Sequence, residues 1–141
     1  MITNVQFQEI VTEEELLRVL KLCHRILGDQ PQELYGVDAW RKRLADGLQP
    51  LLYAEAGGQV VSAVLGRAES AESLVIGFVA CDEAWRMQGI TRELMGRFEK
   101  RAREMGFKAI TLASKADAFY EKCGYHVIFQ THGQNVYQKL L

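Results

Sequence analysis

The stretch LVIGFVACDEAWRMQGIT, residues 74–91, decides how this chain folds. Its first eight residues form a continuous apolar run, which predicts a central strand that is buried on both faces. After a short turn that contains Gly89, apolar residues recur at helical spacing: Ile90, Leu94, Phe98 and Ala102. The first N–H groups of a helix have no partner inside it, and the helix dipole adds partial positive charge there. The stretch therefore predicts a strand, a turn and a helix N-terminus that together suit a pyrophosphate.

Shorter apolar or alternating runs predict the neighbouring strands. They are expected at residues 2–9, 51–56, 60–67, 107–113, 125–130 and 135–140. Two glycine-containing pairs predict hairpin turns, at residues 57–58 and 132–133. Since a strand, a helix and a strand follow one another between residues 74 and 113, we expect one parallel pair inside a mixed, mostly antiparallel sheet.

Helices are expected on both faces of this sheet, in an α/β (α+β) fold. Thr12 and Glu15 form a capping box at the start of a helix that ends before Gly28. Asp38 is expected to cap a second, shorter helix, which turns two residues inward: Trp40 and Leu44. A third short helix is predicted at residues 116–123.

The length and the apolar fraction of 48% indicate one soluble globular domain over residues 1–141. With 17 basic and 18 acidic residues, the chain lacks the basic excess of a typical nucleic-acid-binding protein. No apolar run approaches the ~20 residues that span a membrane, and the first residues do not resemble a signal peptide. We therefore expect a cytoplasmic protein that binds neither nucleic acid nor a membrane.

The cysteines and histidines form no pattern that binds a metal. Cys23, Cys81 and Cys123 are widely spaced, which argues against a disulfide or zinc site and favours small core residues. The three histidines are equally scattered, and each is more readily structural or exposed than catalytic: His24, His126 and His132. We expect no bound metal.

Two segments resemble the signatures of the GNAT superfamily of acyl-CoA N-acyltransferases. Residues 86–91, RMQGIT, are similar to its Q/R-x-x-G-x-G/A pattern. Residues 116–125, ADAFYEKCGY, are similar to its A-x-x-F-Y-x-x-x-G-[FY] pattern. The resemblance extends from about residue 51 to residue 125. Both segments lie in the strand–helix context that the family's signatures require. The resemblance implies the GNAT fold, in which the parallel strand pair splays apart, and an acetyltransferase that uses acetyl-CoA.

The resemblance implies that the pyrophosphate of acetyl-CoA lies on the N–H groups of Met87 to Thr91. Gly89 would let the backbone approach the phosphates, although a glycine there also suits a plain tight turn. Thr91 stands where the family has Gly or Ala; its side chain adds bulk, but its hydroxyl is able to donate to a phosphate. The expected cofactor contacts are Val79, Ala80, Cys81, Arg86, Met87, Gln88, Gly89, Ile90, Thr91, Arg92, Ser114 and Phe119.

The central strand and the second motif supply the implied chemistry. The resemblance assigns the Val79 N–H to the thioester carbonyl, where such a donor stabilises developing negative charge, and it pairs Cys81 with the pantetheine amides. An acyl-cysteine at Cys81 is the weaker interpretation, because no histidine base lies nearby in the sequence. Tyr120 is expected to protonate the departing thiolate as the general acid. The alternative for Tyr120 is an aromatic core residue beside Phe119.

Other site positions follow the family pattern less closely. Ser114 partly replaces an asparagine that contacts pantetheine, while Arg92 and Lys115 either meet the 3′-phosphate or belong to solvated surfaces. No carboxylate matches the general base that the family often uses, so water or an already neutral amine would suffice. Glu72 is only a weak candidate for that base. Two other glutamates considered are more readily surface charges: Glu55 and Glu69.

We therefore predict direct transfer of an acetyl group from acetyl-CoA to a primary amine, on a small molecule or a peptide, in a ternary complex. The chain would act as a monomer or a homodimer. The acceptor site has no motif, and its candidate lining residues are Tyr35, Trp40, His132 and Tyr137. Two alternatives remain open: a catalytically silent acyl-CoA-binding or regulatory module, and an unrelated α+β interaction domain whose motif matches arise by chance.

Overall fold

A computed structural model describes residues 4–141, which contain seven strands and five α-helices. The strands are β1 (Val5–Glu9), β2 (Leu51–Ala56), β3 (Gln59–Ala68), β4 (Ser73–Cys81), β5 (Ala109–Ser114), β6 (His126–Thr131) and β7 (Gln134–Leu140). The helices are α1 (Glu13–Leu27), α2 (Gln32–Tyr35), α3 (Val37–Asp46), α4 (Ile90–Glu104) and α5 (Asp117–Lys122). A 3-10 helix, Glu83–Trp85, lies between β4 and α4. Residues 2–3 of the first predicted strand lie outside the described residues, and α2 was not predicted because one helical turn shows no periodicity.

The strands form one sheet in the order β1-β2-β3-β4-β5-β7-β6. Every neighbouring pair is antiparallel except β4 and β5, which confirms the predicted mixed sheet. The parallel pairing is short, since only residues 73–75 of β4 lie in register with residues 109–111 of β5. Beyond Val75 the two strands separate. The gap between them positions the candidate site.

Helices cover both faces of the sheet, as predicted. On one face α4 buries Phe98 in a core that includes Ala54, and on the other α1 buries Leu20 in a core that includes Tyr53. Ala54 and Tyr53 are adjacent in β2, and successive strand residues point to opposite faces. Burying a large apolar side chain stabilises the fold by about 1.5–3 kcal/mol. The two cores together hold β4 at the centre of the molecule.

The predicted N-terminal cap of α1 is confirmed, whereas that of α3 is not. The Glu15 N–H donates to Thr12 Oγ1 at 3.1 Å and the Thr12 N–H to Glu15 Oε1 at 2.9 Å, which confirms the capping box. The prediction that Asp38 caps the second helix is wrong, because Gly36 both ends α2 and precedes the first residue of α3. Asp38 instead lies in the first turn, where Arg41 donates to it at 3.3 Å.

The prediction that β4 is buried on both faces is wrong in part. Alternate residues are buried, namely Leu74, Ile76, Phe78 and Ala80, and those between them from residue 75 onward are half-buried. The register with β3 shifts between Leu65 and Gly66, which lie opposite Phe78 and Ile76. As a result Ile76 belongs to the core beneath α4, whereas Phe78 belongs to the core beneath α1.

The cysteines differ in their surroundings. Cys23 is buried in the core as predicted, but Cys81 and Cys123 are only half-buried. Burial raises the pKa of the Cys23 thiol to about 12 and also raises the pKa of Cys123. Within residues 4–141, no group of three or more His, Cys, Asp or Glu side chains is placed to hold a metal ion. In the same residues, no helix has the length and apolar character needed to cross a membrane.

Candidate active site

The turn after β4 is held by the buried carboxylate of Asp82. Its Oδ1 accepts from the Ala84 N–H at 2.9 Å, and its Oδ2 accepts from the Arg25 guanidinium at 2.7 Å. The Asp82 N–H donates to the Val61 carbonyl of β3 at 2.8 Å. These bonds fix the 3-10 helix and hence the direction in which the chain enters the loop before α4.

That loop, residues 86–89, contains two left-handed residues. Met87 has a φ of +64° and Gly89 a φ of +79°. A left-handed conformation costs a non-glycine residue about 1–2 kcal/mol, and the fully exposed Met87 side chain gains no core packing in return. Among the described residues, the N–H groups of residues 86–92 have no hydrogen-bond acceptor. Consecutive free N–H groups at a helix N-terminus form a concavity that binds anions.

The Thr91 hydroxyl is bonded inside the protein. It lies 2.9 Å from Ser62 Oγ, and the Ser62 hydroxyl donates to the Ala80 carbonyl at 2.9 Å. A hydroxyl has one proton, so Thr91 is the donor to Ser62. The hydroxyl therefore does not point its proton toward a phosphate in this structure, and donation to one stays a prediction. It connects the first turn of α4 to β3 and β4 instead, and the same contact explains why a residue larger than glycine fits there.

The second half of β4 presents free N–H groups to the gap. The directions of successive N–H groups alternate along a strand. Since the Asp82 N–H points toward β3, the N–H groups of Cys81 and Val79 point the opposite way, toward β5. β5 does not pair with this part of β4. Two unpaired donors therefore face the gap at the positions expected to contact the thioester and pantetheine.

Tyr120 lies on the other side of the gap, in α5. Its side chain is only 5% exposed and packs on three aromatic rings, with centroids 5.0 to 6.0 Å away: Phe119, Tyr125 and Tyr137. Burial raises the pKa of Tyr120 to about 12; the Cys123 thiol adds to this rise, whereas the Ser114 hydroxyl opposes it. The phenol therefore keeps its proton at neutral pH, as a proton donor must. The core and site interpretations of Tyr120 are compatible.

Two clefts meet at the gap. The outer cleft has a volume of about 680 Å³ and lies between residues 86–92, the end of β4 and α5. The inner cleft, of about 260 Å³, extends toward the end of α1 and the start of β7. Three residues line both: Val79, Ser114 and Tyr120. The Tyr120 ring therefore stands where the contents of the two clefts would meet.

The outer cleft brings together Tyr120 and all twelve of the expected cofactor contacts. Four other residues line it as well: Ile26, Trp85, Ala116 and Lys122. Trp85 directly precedes the first motif and Ala116 belongs to the second, so their proximity in sequence was a usable signal. Ile26 comes from α1, and no pattern in the sequence connects that helix to the loop.

Several other candidates lie outside both clefts. Glu72 is exposed just before β4 and lines neither cleft. It precedes Val79 by seven residues, which is ~23 Å at strand spacing. This position does not favour Glu72 as the general base, which stays a weak prediction. Glu55 and Glu69 are each paired with an arginine. The three histidines do not line either cleft, and Lys115 lines a separate groove beside the β6–β7 turn.

The residues considered for the acceptor site do not line the inner cleft. Tyr35 and Trp40 lie behind Phe78, with ring centroids 5.3 and 5.1 Å from it, whereas Tyr137 is buried beside Tyr120. His132 forms the β6–β7 turn. Away from the residues that it shares with the outer cleft, the inner cleft is lined by Leu27, Gln30, Ile76, Gly77, Phe78, Leu112, Ala113 and Gln134. These come from separate elements with no common motif, which is why sequence patterns missed them.

Comparison with known proteins finds one family and many related folds. The sequence matches the model of the Acetyltransferase (GNAT) family over residues 13–125. No curated protein matches the chain in sequence. The structure of PaiA N-acetyltransferase from Thermoplasma acidophilum in complex with coenzyme A superposes with a TM-score of 0.82 at 14% identity, covering 99% of this chain and 100% of that one.

Two further solved structures show the same similarity. A GNAT family acetyltransferase from Elizabethkingia anophelis with acetyl-CoA bound gives a TM-score of 0.75 at 14% identity, over 98% of this chain and 99% of that one. The ribosomal-protein-S18-alanine N-acetyltransferase from Escherichia coli gives 0.77 at 12% identity, over 96% and 93%. At such identities the similarity establishes a shared fold.

Proposed function

Because the chain belongs to the GNAT acetyltransferase family, we propose that it transfers an acetyl group from acetyl-CoA directly to a primary amine. Family membership makes the chain an acyltransferase. The donor, the acceptor and the route of transfer are the parts we propose. Both substrates would be bound together, the donor in the outer cleft and the acceptor in the inner one, and they would meet between Val79 and Tyr120.

The observation that supports this proposal most is the continuity of free backbone donors in the outer cleft. The free N–H groups of residues 86–92 suit a pyrophosphate, which only accepts hydrogen bonds. The unpaired edge of β4 at residues 79–81 suits an amide-containing arm, since an extended ligand can add to a free strand edge. Acetyl-CoA combines these two chemistries in one molecule, and the residues present fit both.

The residues at the junction have complementary roles. Acetyl-CoA supplies an acetyl group on a thioester, which is the bond that the amine would replace. The Val79 N–H would donate to the thioester carbonyl oxygen as negative charge develops there. As the C–N bond forms and the C–S bond breaks, the Tyr120 phenol would give its proton to the departing sulfur. The excess proton of the amine would leave to solvent, and Tyr120 would regain a proton from solvent, so that no net proton is consumed.

Cys81 favours direct attack over an acyl-cysteine. Its half-buried thiol lies 3.6 Å from the Asp82 carbonyl, to which it donates weakly. None of the three histidines lines either cleft, so no imidazole is placed to deprotonate this thiol. A cysteine nucleophile needs such activation, because the thiolate is the reactive form.

The test combines binding with turnover. Calorimetry should detect acetyl-CoA binding, and thiol release should accompany acetylation within a panel of amines. Replacing Gly89 by alanine forces a side chain into the left-handed turn and should weaken binding, whereas Lys115→Ala in the separate groove should not. Binding without thiol release for any amine would favour a silent acyl-CoA-binding module. Failure of acetyl-CoA to raise the melting temperature would contradict the proposal altogether.

A further inference from the structure

We infer that the acceptor is the α-amino group of a peptide, attacked as a neutral amine, and that lysine side chains and polyamines are poor acceptors. This inference rests on the proposed acetyl transfer and concerns the inner cleft. It follows from the charge of that cleft, from the groups around it and from the basicity of the amines.

The inner cleft is lined entirely by side chains without a formal charge at neutral pH. Its polar side chains are two amides and two hydroxyls: Gln30, Gln134, Ser114 and Tyr120. Moving an ammonium group from water into such surroundings disfavours its charged form, because no carboxylate compensates the lost hydration. A polyamine, which carries several ammonium groups, meets this difficulty at each of them.

The charged groups on the surrounding elements are paired or exposed. On α1, Arg25 is bound to two carboxylates: Asp82 and Glu83. At the start of α5, Asp117 accepts hydrogen bonds from two side chains of β7: Asn135 and Tyr137. Three acidic side chains that neighbour these elements in sequence are exposed to solvent: Asp29, Glu33 and Glu121. None of them lines the cleft.

Two titratable side chains come closer, and neither is placed to take a proton from the amine. His24 packs edge-on against Phe78, with ring centroids 6.4 Å apart, and does not itself line the cleft. Tyr120 does line the cleft, but it is already protonated at neutral pH and serves as a donor. An amine that reacts in this cleft must therefore arrive without its proton.

Basicity then separates the candidate acceptors. A peptide α-amino group has a pKa of about 7.7–8.0, whereas a lysine side chain has a pKa of about 10.4. At pH 7.5 roughly a third of an α-amine is neutral, compared with about 0.1% of a lysine side chain. The greater nucleophilicity of the lysine amine offsets only part of this difference.

The cleft also offers partners for a peptide backbone. The Gln30 amide donates to the Leu27 carbonyl at 3.1 Å, and among the described residues its Oε1 has no donor, so it can accept from a peptide N–H. Residues 76–78 of β4 lie between the stretch paired with β5 and the stretch proposed for the pantetheine arm, and an extended peptide can pair with such an unpaired edge. The volume of about 260 Å³ restricts the first residues to small side chains.

Two matched peptides test this inference. One has a free N-terminal alanine and no lysine; the other has the same sequence but an acetylated N-terminus and a single lysine. At pH 7.5 we expect kcat/KM for the first to exceed that for the second by at least tenfold. Its rate should level off near pH 8, while the lysine peptide's rate should keep rising to pH 10. Equal or faster acetylation of the lysine peptide or of spermidine at pH 7.5 would overturn the inference.

Charge substitutions provide a second readout. Gln30→Glu places a carboxylate in the cleft and should improve the lysine peptide relative to the α-amine peptide by at least threefold. Gln32→Glu, on exposed α2 outside the cleft, is the matched control and should leave this ratio unchanged. Loss of α-amine acetylation in His24→Gln, with activity that a rise in pH restores only in the wild type, would assign a base and contradict the inference. If other amines are acetylated but neither peptide is, only this inference fails. If no amine in the panel causes thiol release, the proposed transfer itself fails.

Discussion

Residues 73–75 and residues 79–81 belong to the same strand, β4, yet they have different neighbours. The first group pairs in parallel with β5, and the second leaves its N–H groups free toward the gap. Both parts of the strand also pair with β3 on the other side. The apolar run of residues 74–81 continues through both parts of the strand. The difference therefore teaches that the candidate site arises where the backbone of β4 no longer pairs with β5. The predictions below test the two halves against each other.

The largest effect is expected from Tyr120→Phe, because Tyr120 faces the unpaired residues 79–81 of β4 across the gap. Removing the phenol proton donor should lower kcat by about 100-fold or more, because general acid catalysis contributes roughly 10²–10⁴. Acetyl-CoA affinity should change less than threefold, since the ring remains. Steady-state kinetics and calorimetry measure both quantities.

Tyr53→Phe is the matched control, because Tyr53 is also buried but lies outside both clefts, with its hydroxyl within hydrogen-bond distance of the Glu15 carboxylate and the Gln8 amide oxygen. Its kcat should stay within about twofold of the wild type, while some stability is lost with the hydrogen bond. An unchanged kcat in Tyr120→Phe would remove the general acid role.

A stability effect is expected where β4 leaves β5. At Gly77 an added Cβ would lie 2.7 Å from Tyr35 Cε1 and 3.0 Å from Trp40 Cη2. Gly77→Ala should therefore lower the free energy of unfolding by about 1–3 kcal/mol, as measured by urea denaturation. Gly96→Ala in α4, where an added Cβ meets nothing within 4 Å, should instead stabilise the protein by up to about 1 kcal/mol. Equal stability of both variants would show that Tyr35 and Trp40 do not restrain this part of β4.

A smaller effect is expected for Thr91→Val, which keeps the shape and removes the hydroxyl. Loss of the bond to Ser62 should lower the free energy of unfolding by about 1 kcal/mol. The Kd for acetyl-CoA should change less than threefold, because this hydroxyl serves β3 and not a phosphate. A tenfold weaker Kd with unchanged stability would reverse that assignment.

The smallest expected effect concerns the pH dependence of kcat, which should show no decline at moderately alkaline pH. Burial raises the pKa of Tyr120 to about 12, so the phenol is protonated throughout neutral and moderately alkaline conditions and loses its proton only as the pH approaches that value. With a saturating amine, kcat should therefore show no decline between pH 8 and pH 10. A decline in that range that disappears in Tyr120→Phe would contradict the burial of this group; circular dichroism at each pH controls for unfolding.

The outer cleft was predictable because all of its lining residues except Ile26 lie in two short segments. In the segment from Val79 to Arg92, the local sequence predicts a strand, a turn and a helix. These elements determine where the N–H groups point. The second segment adds Phe119 and Tyr120, and the parallel crossover brings the two segments together. Helix periodicity likewise identified the buried stripe of α4 before any coordinates.

The remainder depended on contacts between distant residues. Ser62, the partner of Thr91, is 29 positions away and has no pattern that announces the bond. The inner cleft is built from the ends of α1, β5 and β7, whose side chains meet only after folding. Gly36 displaced Asp38 as a cap because a one-turn helix ends there, which propensity alone does not reveal.

Hydrogen–deuterium exchange with and without acetyl-CoA tests the central claim most directly. We predict that the amides of residues 86–92, Val79 and Cys81 become protected on binding, because the ligand supplies the acceptors that they lack. The amides of residues 73–75 should be unchanged, since that half of β4 already lies in register with β5. Protection at residues 73–75 without protection at Val79 and residues 86–92, or no change in any of them, would contradict the account.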